Sequence, residues 1–337
     1  LGFAALANIS AAEEYNASLN VLSGRAVSAI AAARYDASLR LVNSAFSCPA
    51  FIGNSAQLKQ ESCAWTRIEG SDFNRDASAG TVDYHGQSTI LMFGGQRELN
   101  SGWFLGGVIG YENSRINSDE GATQVDGKAG LAVLALKRQI GSFLIGGAID
   151  LGYGTYDSRR NITFGNSVRQ ARASSDAFNA GVHFKASYQK SFGAWYLEPQ
   201  VDLDMTYLRL GGFEETGAGA FDLNVAKSSD ILFSATPAVK LGRRVDLGSG
   251  AVLNAFATAG VSFRSGNNWQ TNARFANASA GAGGFSTRLD TPDTVGQFSA
   301  GVEVYNQGGV NFRVQYDADF ASNYLSQRAE LRLSINF

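Results

Sequence analysis

Gln327-Arg328-Ala329-Glu330-Leu331-Arg332-Leu333-Ser334-Ile335-Asn336-Phe337 alternates without a break: Ala329, Leu331, Leu333, Ile335 and Phe337 are apolar, and every residue between them is polar or charged. Period-two alternation of this kind is the signature of a β-strand with one oily and one wet face. The preceding segment repeats it, with Val310, Phe312, Val314, Tyr316, Ala318 and Phe320 set against Asn311, Arg313, Gln315, Asp317 and Asp319. A soluble sandwich could supply such strands, but these are long and carry charge along one face. The chain given also stops on an aromatic, with no polar tail. A transmembrane β-barrel requires strands of this kind, with lipid outside and water or polar protein inside.

Composition agrees. The chain has 337 residues, 45% hydrophobic, with 39 Gly, 4 Pro and a net charge of −2. That balance leaves no electrostatic footprint for nucleic acid. Mean hydropathy is −0.10. The longest uncharged apolar runs, Ala26 to Ala33 and Ala129 to Leu136, fall far short of the roughly 20 residues a spanning helix needs. A barrel escapes that test because half of every strand is polar. The sequence opens at Leu1 without a signal peptide, as a mature or truncated piece would.

Residues 1–20 are small and polar apart from a few aliphatics, and Ser10-Ala11-Ala12-Glu13 has the spacing of a capping box. Val21 to Phe46 reads as a helix, Ala-rich and free of Pro, with Val27, Ile30, Ala31, Leu39, Val42 and Phe46 at spacings of three and four. It is slim and cationic (Arg25, Arg34, Arg40) and lacks the broad apolar stripe of a bundle helix. At full length it would be a rod of roughly 40 Å. Cys48 and Cys63 bracket its exit. Two cysteines with no nearby His cannot build a structural zinc site. A disulfide between them, rather than two free thiols, would contribute ~3 kcal/mol by closing the loop, given an oxidising compartment.

From Cys63 onward the pattern yields twelve strands, at 63–72, 81–98, 102–115, 124–139, 142–157, 173–190, 194–210, 219–244, 250–265, 287–306, 309–321 and 324–337. Their connections alternate in length. Leu99-Asn100-Ser101, Ile140-Gly141, Ser191-Phe192-Gly193, Val245 to Ser249 and Gln307-Gly308 are tight, whereas Ser158 to Arg172 and Gly266 to Ser286 are long and polar. Short turns on one rim and long loops on the other are how outer-membrane barrels are built. Twelve strands about 4.8 Å apart and tilted near 40° enclose a backbone radius of roughly 12 Å. One helix of ~10–12 Å diameter fits inside the side chains.

Leu22-Ser23-Gly24 in an Ala-rich helix, then Trp65-x-Arg67-x-x-Gly70 opening the first strand, resemble the translocator domain of Gram-negative autotransporters. So do Trp195-x-Leu197-x-Pro199, Phe213-Glu214-Glu215-x-Gly217 and the terminal Phe337. The resemblance covers about residues 21–337. It implies an all-β transmembrane fold, a 12-stranded antiparallel up-and-down barrel with an N-terminal α-helix in the lumen. The function implied is secretion and anchoring of an N-terminal passenger in the outer membrane. The domains expected are a linker from an absent passenger (1–20), the lumen helix (21–47), a connector (48–62) and the barrel (63–337). Two features depart from the family pattern. Arg25 stands where an acidic residue often follows Leu-Ser-Gly, and cysteines are seldom present.

The site residues expected are those of a plugged lumen. Ser23, Gly24, Arg25, Arg34 and Arg40 would lie on the helix. Arg67, Glu69, Glu198, Asp202, Asp204, Arg313 and Asp317 would face it from the strands, with Glu198, Asp202, Asp204 and Asp317 as candidate partners for the helix arginines. Leu333, Ile335 and Phe337 would form a C-terminal assembly signal. Partners would be outer-membrane lipids, the barrel-assembly machinery, periplasmic chaperones and the passenger, with the domain itself a monomer. No enzyme is expected. The sequence has 2 His, no nucleophile elbow and no Walker loop. Gly281-Ala282-Gly283-Gly284 has no helix after it to form a phosphate cradle. No cofactor or metal is implied. Some autotransporters cut their own helix at an asparagine, but the adjacent pair associated with that cleavage is absent, for Asn16, Asn20 and Asn43 stand alone. The alternative is a porin or solute channel of similar strand number.

Overall fold

The computed structural model describes residues 12–46, 48–78, 82–118, 122–164, 167–248, 250–266, 268–278, 283–306 and 309–337. Asn8 and Ser10, half of the glycine run (Gly281 and Ala282), and Ser249, Gln307 and Gly308 of the tight links lie outside the described residues.

Twelve strands close into one antiparallel ring: β1 Cys63–Arg75, β2 Tyr84–Asn100, β3 Trp103–Ser118, β4 Thr123–Ile140, β5 Phe143–Phe164, β6 Ser167–Tyr188, β7 Trp195–Leu210, β8 Ser228–Gly248, β9 Ala251–Ser265, β10 Thr294–Tyr305, β11 Val310–Ala321 and β12 Tyr324–Asn336. A short piece, Lys190–Phe192, continues β6 beside the start of β7. Closure is made by β12 on β1, from Tyr324↔Arg75 to Asn336↔Cys63. No edge remains to leave backbone groups unpaired in hydrocarbon.

Side chains sort as period two requires, inside out relative to a soluble protein. On β5, Phe143, Ile145, Ile149, Leu151 and Tyr153 are exposed on the outer face, while Ala148 and Asp150 between them are buried. From Phe143 to Tyr153 the band is about 25 Å tall, the height of a hydrocarbon core. Among the described residues no helix is long and apolar enough to cross a membrane; the strands supply the outward apolar surface.

One rim carries tight turns. Ile140↔Phe143 leaves a two-residue turn in which Gly141 takes φ +59°, a conformation that favours glycine. The other rim differs from expectation. Ser158 to Arg172 is an extension of the β5–β6 hairpin rather than a loop, paired out to Phe164↔Ser167. Residues 219–227 and 287–293 do not belong to barrel strands. Phe213–Glu214, Leu223–Val225, Asn268–Phe275 and Phe285–Asp290 instead form a separate four-stranded sheet above the ring. Alternation alone could not separate a barrel strand from a strand in the loop that follows it.

The helix also departs from expectation. Helix α1 spans Ala12–Ser23, so part of the segment expected as linker is helical, as the capping-box spacing of Ser10 to Glu13 allows. A 3₁₀ turn, Arg25–Ser28, then leads into α2, Ala29–Ala45. The break falls at Gly24, whose φ of +62° disfavours an L side chain and whose added Cβ would meet Leu223 of the loop sheet at 2.7 Å.

Candidate functional site: a helix held in the barrel lumen

Helix α2 stands inside the ring against the wall made by β2 to β7. Ala29, Ala31, Ala37 and Ala45 are buried and keep it thin enough for Ile30, Leu41 and Val42 to reach the wall. The wall makes room in turn. A Cβ at Gly110 would lie 3.1 Å from Leu41, and one at Gly152 would fall 2.5 Å from Arg34 Nη2.

Arg34 is fully buried. Its Nη1 donates to Glu112 Oε2 at 2.8 Å and its Nη2 to Asn179 Oδ1 at 2.6 Å. Arg40, one turn and a half further on, reaches Glu69 (3.2 Å), Glu112 (3.3 Å) and Ser88 Oγ (3.4 Å). Asp36 faces the other way, taking a hydrogen bond from Tyr324 Oη at 2.9 Å and pairing with Arg264 at 3.5 Å. At the helix C-terminus Lys137 Nζ donates to Ala45 O at 3.0 Å, satisfying an end carbonyl with a cation. Lys137 and Lys185 flank the Phe46 ring at 5.7 and 5.8 Å. Strands on both sides of the ring thus pin one helix through charge-assisted bonds in a site shielded from bulk water.

The strand residues expected to face the lumen do so, but with different partners. Glu69 meets Arg40 and also accepts from Arg67 at 2.6 Å. Asp202 is taken by Lys185 (2.6 Å), Asp204 by His183 (2.9 Å), and Glu198 faces Lys240 at 3.9 Å. Asp317 accepts from Gln315 at 2.7 Å. None of the four supplies a helix arginine among the described residues. Groups on adjacent strands sit within about 5.5 Å of each other and meet first. Arg313 turns to Glu330 at 3.5 Å, which also holds Arg67 at 2.9 Å. Arg25 lies in the 3₁₀ turn, where its backbone N–H donates to Ser23 Oγ at 3.4 Å, and no carboxylate pairs with it among the described residues. Ser23 Oγ itself donates to Asn20 O at 2.7 Å. The partners the expectation missed are Glu112 and Asn179. Glu112 was marked by parity, since Trp103, Leu105, Ile109 and Tyr111 of the same strand all face outward.

Because the helix leans on one wall, room is left beside it. A polar cavity of about 260 Å³ lies between Arg40, Asn43 and Phe46 and the far wall, where Thr258, Ser299 and Gln315 are among its lining residues.

The short-turn mouth is crossed by a small hairpin, Pro49–Phe51 paired with Leu58–Gln60. It is bonded to strands all around the ring. Gln139 of β4 accepts from Gln60 N at 2.6 Å; Gln189, just past β6, accepts from Leu58 N at 2.9 Å. Arg244 of β8 donates to the carbonyls of Gly53 and Ser55, and Asn336 of β12 donates to Glu61 at 3.1 Å. Phe51 packs edge-on against Tyr305 of β10 at 5.5 Å. Cys48 and Cys63, at the two ends of this segment, are joined by a disulfide with Cα atoms 6.2 Å apart. Unreduced protein from native export should therefore yield one linked Cys48–Cys63 peptide pair by mass spectrometry; two freely alkylated thiols would contradict it.

The barrel strands match a known family in sequence. The family model of the autotransporter β-domain matches residues 64–317. The chain belongs to the autotransporter β-domain family. No curated protein sequence matches it. Among solved structures the autotransporter fold recurs. The translocator domain of the autotransporter NalP from Neisseria meningitidis aligns with a TM-score of 0.68 and 14% identity, over 93% of this chain and 98% of that one. The β-domain of the Bordetella autotransporter BrkA gives 0.57 and 17%, over 82% and 100%. The transport unit of AIDA-I from Escherichia coli gives 0.55 and 12%, over 90% and 97%.

One autotransporter-like motif meets the residue just before another through a side chain that belongs to neither. Arg160 of β5, buried, pairs with Glu215 through Nε (3.0 Å) and Nη2, donates to Phe221 O at 2.9 Å, and reaches Val21 O at the end of α1, also at 2.9 Å. Glu215 also accepts from Leu223 N at 2.9 Å. The Phe213-Glu214-Glu215 segment thus clamps the loop sheet onto the helix beside its Gly24 break. Of the remaining motif residues, Trp65 faces inward under Arg332 at 5.2 Å, and Trp195 faces outward beside Arg243 at 5.1 Å.

Proposed function

We propose that this domain inserts in the outer membrane of a Gram-negative bacterium and there secretes and anchors a passenger attached to its N-terminal side. The observation that carries this reading is the polarity of the lumen helix. Its C-terminal end, Phe46, joins β1 at the short-turn rim, and its N-terminal part, α1, lies under the loop sheet at the long-loop rim. A passenger attached on the N-terminal side would emerge at that rim. The buried Arg34–Glu112 pair holds the finished stem in place, so the domain stays closed and the passenger stays attached. Leu333, Ile335 and Phe337, on the outer face of the closing strand, are the residues we assign to recognition by the assembly machinery. Phe337→Ser should lower the amount of folded barrel in the membrane, measured against wild type after equal synthesis.

Conductance across a planar bilayer tests the central reading. The intact domain should pass small currents, because helix and hairpin fill most of the bore. A chain beginning at Ser47 should pass currents several-fold larger. Equal conductance from both would place the helix outside the conducting path, and the solute-channel reading would then take precedence.

A further inference from the structure

Just beyond the apolar band, at the long-loop rim, the outward face of β3 to β6 is a grid of charge. One row across the four strands reads Arg115↔Asp126↔Asp157↔Ser174, and the row above it reads Asn117↔Gln124↔Arg159↔Arg172. Below them runs Lys128↔Thr155↔Asp176. Rows are about 7 Å apart and strands about 4.8 Å apart. Asp126 is shared by Arg115 at 2.7 Å and Arg159 at 3.7 Å. Asp157 accepts from Ser174, and Asp176 is taken by Arg209 of β7 at 3.1 Å. Five exposed cations, Arg115, Lys128, Arg159, Arg172 and Arg209, thus face three carboxylates, Asp126, Asp157 and Asp176.

Two features set this patch apart from the rest of the rim. Arg159 stands directly opposite Arg172, and like charges at opposed positions destabilise a sheet unless something neutralises them. On the barrel wall itself, as distinct from the loop sheet that carries Arg274 and Arg288, the cations are also gathered on one side of the ring. Towards the same rim, the outward faces of β8 to β12 carry Phe233, Phe263, Phe298, Phe320 and Leu325, with no cation among the described residues. Tyr111, Tyr153 and Tyr207 mark where the apolar band ends beneath the grid, which sets the grid at headgroup height.

We propose that this patch docks a phosphorylated glycolipid of the outer leaflet, the lipid A headgroup of lipopolysaccharide. Its phosphates would sit between Arg159 and Arg172 and beside Lys128, where charge-assisted bonds from guanidinium forks are strongest. The grid is about three strand spacings wide, enough for a sugar pair rather than a single phosphate. The inference rests on the orientation proposed above, with the long-loop rim outside.

The test uses the full folded chain in detergent micelles, with diphosphoryl lipid A and the same lipid stripped of its phosphates as probes, and binding read by native mass spectrometry on the folded fraction only. Wild type should retain the diphosphoryl form about tenfold or more in preference to the stripped form, and Arg115→Ser/Lys128→Ser/Arg159→Ser/Arg172→Ser should lose that preference. Arg138→Ser/Arg243→Ser, at the opposite rim, should keep it. No preference in wild type, or equal loss in both variants, would overturn the docking site. Labelling of Asn117→Cys in intact cells reads orientation separately. Label without phosphate preference removes the docking site alone, whereas no label removes the orientation and with it the function proposed above.

Discussion

Arg34→Ala should destabilise the folded domain by about 3–5 kcal/mol, the range for removing one partner of a buried ion pair. The loss is large because Glu112 is itself buried and would be left with Arg40 alone, at 3.3 Å, while Asn179 loses its donor. Arg34→Lys should fall between the two, since an ammonium is one point charge and cannot hold Glu112 and Asn179 with two arms of a fork. Arg34→Met with Glu112→Gln should cost less than Arg34→Ala, because no uncompensated charge remains. Unfolding in urea from lipid vesicles gives all four values. If Arg34→Ala unfolds with wild type, the pair contributes nothing to holding the helix.

At the other end of the helix, Arg160→Ala should release the loop sheet. Arg160 joins the end of α1, at Val21, to the loop after β7, at Glu215 and Phe221, two segments far apart in sequence, and its removal leaves a buried carboxylate with only the Leu223 N–H among the described residues. A local cost of about 3 kcal/mol corresponds to more than a hundredfold in the opening equilibrium. Hydrogen exchange should show it at Leu223 and Glu215, whose amides are protected by this cluster, while Leu151, lower in β5, stays slow. Equal acceleration in both places would indicate general loosening of the barrel rather than a clamp.

The barrel was legible because lipid enforces the period-two pattern on every strand. Phe178 to Tyr188 and Gln327 to Phe337 could be assigned from alternation alone, and the sorting of turn lengths ordered the rest. What could not be read is instructive. The loop sheet escaped notice because Leu223–Val225 and Phe285–Asp290 obey the same local rules as barrel strands and differ only in what they pack against. The helix breaks at Gly24, where an added Cβ would meet Leu223, nearly 200 residues away in sequence. Pairing in the lumen was the least accessible. Alternation places Glu112, Asp202 and Asp204 on the inner face, but which of them meets Arg34 depends on where the helix leans. That in turn depends on side-chain volumes at Gly110 and Gly152.

The disulfide has a mechanical consequence. Suppose that an object held outside the cell pulls on the N-terminal segment. The load passes down α2, and if its ion pairs yield, it arrives at Cys48. Without the covalent link, the 15 residues to Cys63 would pay out, up to about 50 Å of extended chain, before β1 came under tension. The hairpin would be peeled from the mouth on the way. With the link in place that slack is gone, and force goes from Cys48 straight into Cys63 at the foot of the first strand. There it is opposed in shear by the ladders that β1 shares with β12 and β2. Under such a load the link would keep the segment taut, and the small hairpin would bear none of the pull.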